Sequence, residues 1–292
     1  MDDLRGKNAI LTGASRGLGT YIAKVLAAQG VNLALAARSA ESLEEVRAAC
    51  AAAGVRAIAV ATDVTSIDDL RRLVDTAERE LGEIDIVINN AGIEVAAPFA
   101  ENSFDQIDRL LTTNVHAPMW LTKIVLPGML ARKRGVIVNV ASMAGKVPNP
   151  YITTYCASKA ALISFTNALS MELAGTGVHT GVVCPTFVSE SGMWANAGRK
   201  APRMASEVSP EKVARAVLKA VRGAREVLVN NGPMRPLLAA MEMAPGARGP
   251  VLRRMGILDM WREEAERRHA GEDRAPAASA TPEREHSGVS GG

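Results

Sequence analysis

Residues 7–19 read KNAILTGASRGLG, an apolar run that breaks into three glycines, Gly13, Gly17 and Gly19, before a helical pattern begins. The order strand, tight turn, helix decides the fold, because it is the opening of a βαβ unit whose turn lets a ligand approach the backbone closely. Glycine admits the turn, and the helix start behind it presents free N–H groups and partial positive charge to a pyrophosphate. Ser15, Arg16 and Leu18 complete the loop and are expected beside the same ligand.

The alternation continues down the chain. Short runs rich in apolar and β-branched residues near 7–12, 31–37, 55–61, 84–89, 134–141, 178–184 and 226–229 are separated by helical patterns near 17–29, 40–53, 67–81, 103–130, 153–174 and 209–222. This predicts an α/β fold, a Rossmann-like doubly wound parallel sheet of about seven strands flanked by helices. Runs such as IDIVIN (84–89) and GVIVNV (135–140) are apolar on both faces, as in a sheet covered on each side. Ligands of such sheets lie beyond the carboxyl ends of the strands, so function is sought in the loops that follow them.

Composition narrows the classes. The chain has 292 residues, 48% of them apolar, enough for one large α/β domain or two small ones. Cys50, Cys156 and Cys184 lie far apart without a CxxC spacing, which points to thiols in a reducing compartment. The start MDDLRGKNAILTG is not a basic, apolar leader, and no apolar run approaches the roughly 18 residues of a membrane span, so a cytoplasmic location is expected. A net charge of +3 and 3% aromatic residues offer neither a basic stripe nor stacking platforms, which argues against nucleic acid as a partner.

A second stretch carries chemistry. In YITTYCASKAALISF (151–165), Tyr155 and Lys159 are four residues apart and share one helix face. Ala157, Ala160, Ala161, Leu162 and Phe165 also make a packing face, so a structural tyrosine is the competing reading. An ammonium beside a phenol favours the phenolate and brings a group of ordinary pKa about 10 toward neutral proton exchange. Tyr151 either lines a pocket or packs against the helix start.

The glycine loop has a rival reading, since GASRG fits the GxSxG elbow of serine hydrolases with Ser15 as nucleophile. That architecture needs an oxyanion loop from an earlier strand and a histidine base, yet the chain ahead of Ser15 is short and none of His116, His179, His269 and His286 stands after a strand. A dinucleotide is the stronger expectation. After the second strand an acidic residue would meet a free ribose 2′-hydroxyl, whereas this chain has Ala37 and Arg38; together with Arg16 this favours a 2′-phosphate, hence NADP (NADPH) over NAD.

Taken in order, TGASRGLG (12–19), NNAG (89–92), TTNVHAP (112–118), NVASMAG (139–145) and YCASK (155–159) resemble the motifs of the short-chain dehydrogenases/reductases (SDR) in their single-domain branch, over roughly residues 5–230. The resemblance implies a hydride-transferring oxidoreductase acting on a carbonyl or alcohol. It makes Tyr155 the general acid or base, Ser142 a hydrogen-bond donor to the carbonyl oxygen, Lys159 the residue that lowers the Tyr155 pKa and holds the nicotinamide ribose, and Asn114 the anchor of a water that links Lys159 to solvent. Asp63 and Val64 are expected at the adenine, Asn90, Ala91 and Gly92 along the adenosine ribose side, and Pro185, Thr186 and Val188 at the nicotinamide. No metal is expected. A cofactor-binding sensor or scaffold without turnover is the alternative class.

Two departures limit the resemblance. In CPTFVSES (184–191), Thr186 and Glu190 occupy the places of the family's glycine and threonine. After EVLVNNGPMRP (226–236) the chain lacks the Thr-Gly ending of many relatives, and 233–268 reads as two amphipathic helices with a Pro/Gly break. That layout resembles the branch that reduces bulky or lipophilic carbonyls. Met234, Met241, Met243, Met255 and Met260 suit an apolar ligand or a packing contact, while Arg235, Arg248, Arg253 and Arg254 raise peripheral membrane contact as a less favoured use. The expected organisation is an NADP-binding catalytic domain over 1–232, including a flap at 186–207, a helical extension over 233–269 and a disordered tail over 270–292. The long helices at 103–130 and 153–174 resemble those of the family's four-helix dimer contacts, and the resemblance implies self-association as a dimer or tetramer.

Overall fold

The computed structural model describes residues 3–190, 201, 207–232 and 234–269. Within them seven parallel strands form one sheet: β1 Asn8–Thr12, β2 Asn32–Ala37, β3 Ala57–Ala61, β4 Ile86–Asn89, β5 Gly135–Val140, β6 Val178–Pro185 and β7 Glu226–Val229, in the order β3-β2-β1-β4-β5-β6-β7. The order reverses between β1 and β4, which opens a crevice at the carboxyl ends of those strands.

Alternating side chains of each strand feed two cores. Leu11, Leu33, Leu35, Val136 and Val138 face α1 (Leu18–Ala27), α2 (Ala40–Ala52) and α7 (Pro210–Val221). Ile10, Ala34, Ala36 and Ile137 face α3 (Ile67–Leu81), α5 (Ala117–Ala131) and α6 (Thr153–Glu172). This is why the strands read as apolar on both faces: each residue of the period-two pattern meets a helix. Burying one such leucine contributes roughly 1.5–3 kcal/mol.

Serine hydroxyls cap most of these helices. Ser39 accepts from Ser42 N, Ser66 from Asp69 N and Ser209 from Lys212 N, and Ser103 with Gln106 forms a reciprocal box at the start of α4 (Phe104–Leu111). Helices α1, α5 and α6 start without a side-chain cap, and the N-cap of α1 is Gly17, with φ 61°.

Two expectations need correcting. The helix expected over 103–130 is two, α4 and α5, joined by a wide π-type turn at Thr112–His116 whose middle residues Thr113, Asn114 and Val115 are buried. Such insertions re-aim side chains, and this one turns Asn114 inward. The C-terminal region forms three helices rather than two: α8 Met234–Met243, α9 Arg248–Arg254 and α10 Ile257–His269. A 3-10 turn at Pro245–Ala247 and Gly256 at φ 74° supply the breaks. The tail after His269 and most of the flap expected over 186–207 lie outside the described residues.

Candidate active site

The glycine loop is pinned from below by the NNAG segment. Thr12 Oγ1 accepts from the backbone N–H of Asn90 and of Ala91, each at 3.1 Å, and Asn90 Nδ2 donates to the carbonyls of Thr12 at 3.0 Å and Gly13 at 3.1 Å. A Cβ on Gly13, whose φ is 65°, would stand 2.9 Å from Ala91 Cα, and one on Gly19 would strike the Gly13 carbonyl. The loop therefore closes only with glycine, and it leaves the uncapped start of α1 facing the crevice. Free N–H groups in that position fit a pyrophosphate. Arg16 and Arg38 are both exposed beyond the ends of β1 and β2. Asp63 closes its own turn, with Oδ1 accepting from Thr65 N at 2.9 Å and Thr65 Oγ1 at 2.8 Å. Val64 beside it is half-buried.

Ser15 lies half-buried in the same loop, at the carboxyl edge of the sheet. His179 is the second residue of β6 and so belongs to the opposite edge, while His116 packs against Trp120 with ring centroids 5.5 Å apart. The described residues do not assemble a hydrolase triad on Ser15.

Helix α6 and the end of β5 bring the second motif to the same cleft. Ser142 follows β5 directly and starts a short 3-10 turn, accepting from Ala144 N at 3.1 Å. Its hydroxyl also hydrogen-bonds the Tyr155 side chain. Lys159 donates to the Val140 carbonyl at 3.0 Å, with Nζ 5.6 Å from the Tyr155 ring centre. Asn114 accepts from Ile93 N at 2.9 Å and donates to Ile93 O at 2.9 Å and to Ser158 Oγ at 3.0 Å; Ser158 in turn donates to the Tyr155 carbonyl at 2.8 Å. A Cβ at Gly92 would lie 3.3 Å from Asn114 Oδ1 and 3.4 Å from Lys159 Nζ, so the missing side chain leaves room between the two.

Electrostatics depart from the expectation that Lys159 lowers the Tyr155 pKa. Burial pushes the phenol well above its ordinary value, and the Glu94 charge pushes it further, against a smaller lowering by the Ser142 hydrogen bond. Burial also brings Lys159 down to about 8. Both effects have one cause, the cost of charge in a site with little water. Cys156 and Cys184 are pushed up by burial as well, Cys184 to about 12, which leaves them poor nucleophiles. Tyr151, at φ 65°, packs in the apolar cluster behind the helix start.

Ser142, Tyr155 and Lys159 line one cleft of about 400 Å³. Its floor carries Leu18, Asn90, Gly92, Ser142, Tyr155 and Lys159; Pro185, Thr186 and Val188 form one side. Thr186 keeps a backbone role, its N–H donating to the Val229 carbonyl at 3.0 Å. The opposite wall comes from the extension through Leu237, Met241, Leu252, Met255, Ile257 and Trp261. Of the methionines singled out in the sequence, Met234, Met241 and Met255 reach the cleft.

Among the cleft residues that sequence reasoning passed over are Trp261 and Glu94. Trp261 is buried and lies 6.4 Å, ring to ring, from Phe187; the stripe Ile257, Trp261, Ala265 at four-residue spacing was the available signal. Glu94 stands two residues beyond NNAG, just past the carboxyl end of β4, where the strand-end rule points.

A dinucleotide crevice that runs into a half-buried serine and a buried tyrosine and lysine defines an NAD(P)-dependent oxidoreductase of alcohols and carbonyls. The chain belongs to the short-chain dehydrogenase/reductase family: the model of the family described as short chain dehydrogenase matches residues 7–202. It is 42% identical over 274 residues to the ketoacyl reductase HetN of Nostoc sp. (strain PCC 7120), across 92% of this chain and 96% of that protein, a length that carries the likeness into the C-terminal helices. To 17-beta-hydroxysteroid dehydrogenase 13 of Rattus norvegicus it is 33% identical over 216 residues, 73% of this chain and 71% of that one. Among solved structures, a metagenomic short-chain oxidoreductase in complex with NADP superposes at TM-score 0.68 with 31% identity, covering 80% of this chain and all of that one. NAD+-bound xylitol dehydrogenase does so at 0.73 with 27% identity, over 79% of this chain and 100% of that one. Among the described residues, no helix is long and apolar enough to cross a membrane.

Proposed function

We propose that this protein uses NADPH to reduce a bulky, apolar ketone or aldehyde to the alcohol. The observation that carries the reading is the shared cleft: the wall facing Ser142 and Tyr155 is made of Met, Leu, Ile and Trp side chains from the C-terminal helices. An apolar ligand that fills it gains roughly 25 cal/mol for each Å² removed from water. The name of the relative HetN, a ketoacyl reductase, agrees with a substrate carrying an apolar chain.

The nicotinamide, when bound, supplies the hydride for the carbonyl carbon. Tyr155 gives its proton to the carbonyl oxygen, and its raised pKa keeps that proton in place at neutral pH, the state that reduction requires. Ser142 donates to the same oxygen as negative charge develops there. Lys159 would hold the ribose hydroxyls of a bound cofactor, and with a pKa of about 8 it is charged at neutral pH yet gives up a proton readily enough to restore Tyr155. Asn114 locks the loop after Gly92 to α6, so the cofactor side and the proton donor keep one spacing.

The cofactor preference rests on Arg16 and Arg38, two exposed guanidiniums with no acid following β2, which suit a 2′-phosphate. Residues 1–232 act as the catalytic unit and 233–269 as the wall that sets substrate shape. Exposed apolar side chains on α4 and α6, Phe104 at 88% and Met171 at 72%, support self-association as a dimer or tetramer. The three cysteines are free and buried, in keeping with a reducing cytoplasm.

Titration with NADPH and NADH under identical salt tests the cofactor reading. NADPH should bind about tenfold tighter or better, worth about 1.4 kcal/mol. Equal or tighter NADH binding would overturn the role of the two arginines and make oxidation with NAD the working function.

A further inference from the structure

The turn that follows Ser142 is shaped from within and fastened from outside. Within it, Ala144 N donates to Ser142 Oγ and Gly145 N to the Ser142 carbonyl, both at 3.1 Å, while Lys146 N and Val147 N donate to the Met143 carbonyl at 2.9 and 2.8 Å. Outside it, Gly145 is pressed onto α6, where a Cβ would lie 2.6 Å from the Lys159 carbonyl carbon, and Met143 is buried in one cluster with Val182 and Cys184. Such packing has little direction of its own. Among the described residues, the side-chain polar tie from this turn to the sheet is an ion pair: Lys146 Nζ donates to Glu226 Oε2 at 2.7 Å, with the two side chains 22% and 20% exposed. Glu226 opens β7, in register with Val182 of β6, which is level with Asn139 of β5.

We propose that Lys146, held by Glu226, is a positioning residue that aims the Ser142 hydroxyl at the reacting oxygen. The inference rests on the carbonyl-reducing reading above, in which Ser142 donates to that oxygen. Ser142 itself is extended, at φ −163° and ψ 155°, so the direction of its hydroxyl follows the turn that begins at it. A pair this far from bulk water is screened less than an exposed one, and removing one partner leaves the other charge uncompensated. The turn then shifts to regain water or a new partner. Neither Lys146 nor Glu226 is among the residues that line the cleft, so an effect of the pair on the chemistry runs through Ser142. A displacement of about 1 Å at a reacting group is enough to cost up to about a hundredfold in rate.

The test is a double-mutant cycle on kcat of the full-length protein with NADPH and a neutral medium-chain 3-oxo ester, read beside KM, NADPH affinity and melting temperature. Lys146→Met should lower kcat about tenfold and leave KM and NADPH affinity within about twofold. In a Ser142→Ala background the same change should cost less than about twofold, because the hydroxyl it positions is gone. Exchanging the charges, Lys146→Glu with Glu226→Lys, should bring kcat back to within about threefold of wild type. An unchanged kcat in Lys146→Met, or a tenfold loss that persists without Ser142, overturns the positioning role and leaves the carbonyl-reducing reading standing. If Lys146→Met does not fold, the charge exchange decides alone: kcat near wild type upholds the pair, and kcat of about a tenth or less in a folded protein overturns it. A wild type that consumes no NADPH with an apolar ketone fails the reading itself, and this inference falls with it.

Discussion

Helix α6 and the C-terminal helices α8 to α10 face each other across one cleft, yet they are held in place by different means. Helix α6 lies against the sheet and is tied to it by buried polar bonds: Asn139 of β5, itself bonded to Asn89 of β4 at 2.8 Å, donates to Thr166 at 2.8 Å, and Thr180 donates to the Thr166 carbonyl at 3.2 Å. Among the described residues the extension adds no strand. It is anchored by apolar contacts of Leu252, Ile257 and Trp261 with Ile152, Tyr155 and Cys156, within the cluster beside the cleft. On the proposed function, the chemistry sits on the rigid element and substrate shape is set by an element that repacks at lower cost.

The largest effect should separate the two sides at once. Tyr155→Phe is expected to lower turnover by about a thousandfold, within the range of general acid catalysis, while NADPH affinity stays within about twofold. A residual activity above one tenth, measured as NADPH consumed with an apolar ketone, would move the proton donor elsewhere. Next comes stability. Leu33→Ala, at a fully buried position of β2, should lower the urea-unfolding free energy by about 2–5 kcal/mol. Leu252→Ala should leave the main urea transition in place and instead cut kcat/KM for that ketone, by about tenfold. Equal losses of global stability would mean that extension and sheet unfold as one unit.

The cofactor side gives a smaller effect. Arg38→Glu should weaken NADPH binding about tenfold or more and spare NADH, since it replaces a cation by an anion at the proposed, exposed phosphate site. The smallest effect is the pH dependence of stability. Folded Lys159 has a pKa of about 8 against 10.5 in its unperturbed state, so between these values the unfolded chain binds more protons and this group makes stability rise with pH. Above pH 10 the raised Tyr155 pKa acts with the opposite sign, because the folded chain then binds more protons. Thermal unfolding of Lys159→Met should show a flatter profile between pH 8 and 10; an unchanged slope would place the titration on another group.

This contrast also accounts for what the sequence revealed. Strands and helices of the sheet were legible because each buries both faces or one full stripe, and Gly13, Gly17, Ser142, Tyr155 and Lys159 follow strand ends or helix spacing that physics constrains. The π-type turn at Thr112–His116 was not legible, since TTNVHAP has the periodicity of an ordinary helix. The third C-terminal helix was missed because Gly256 divides a pattern that reads as continuous. Competition between burial and charge at Tyr155 depends on how much water the extension removes, which spacing along α6 does not encode.

One measurement bears most directly on the central claim: incubation of the full-length protein with NADPH and a neutral medium-chain 3-oxo ester, with the alcohol quantified by gas chromatography against NADPH consumed. The account requires one hydroxy ester for each NADPH, at a rate that Tyr155→Phe abolishes. Tight NADPH binding without hydroxy ester would contradict it and leave a cofactor-dependent enzyme whose substrate is not an apolar carbonyl.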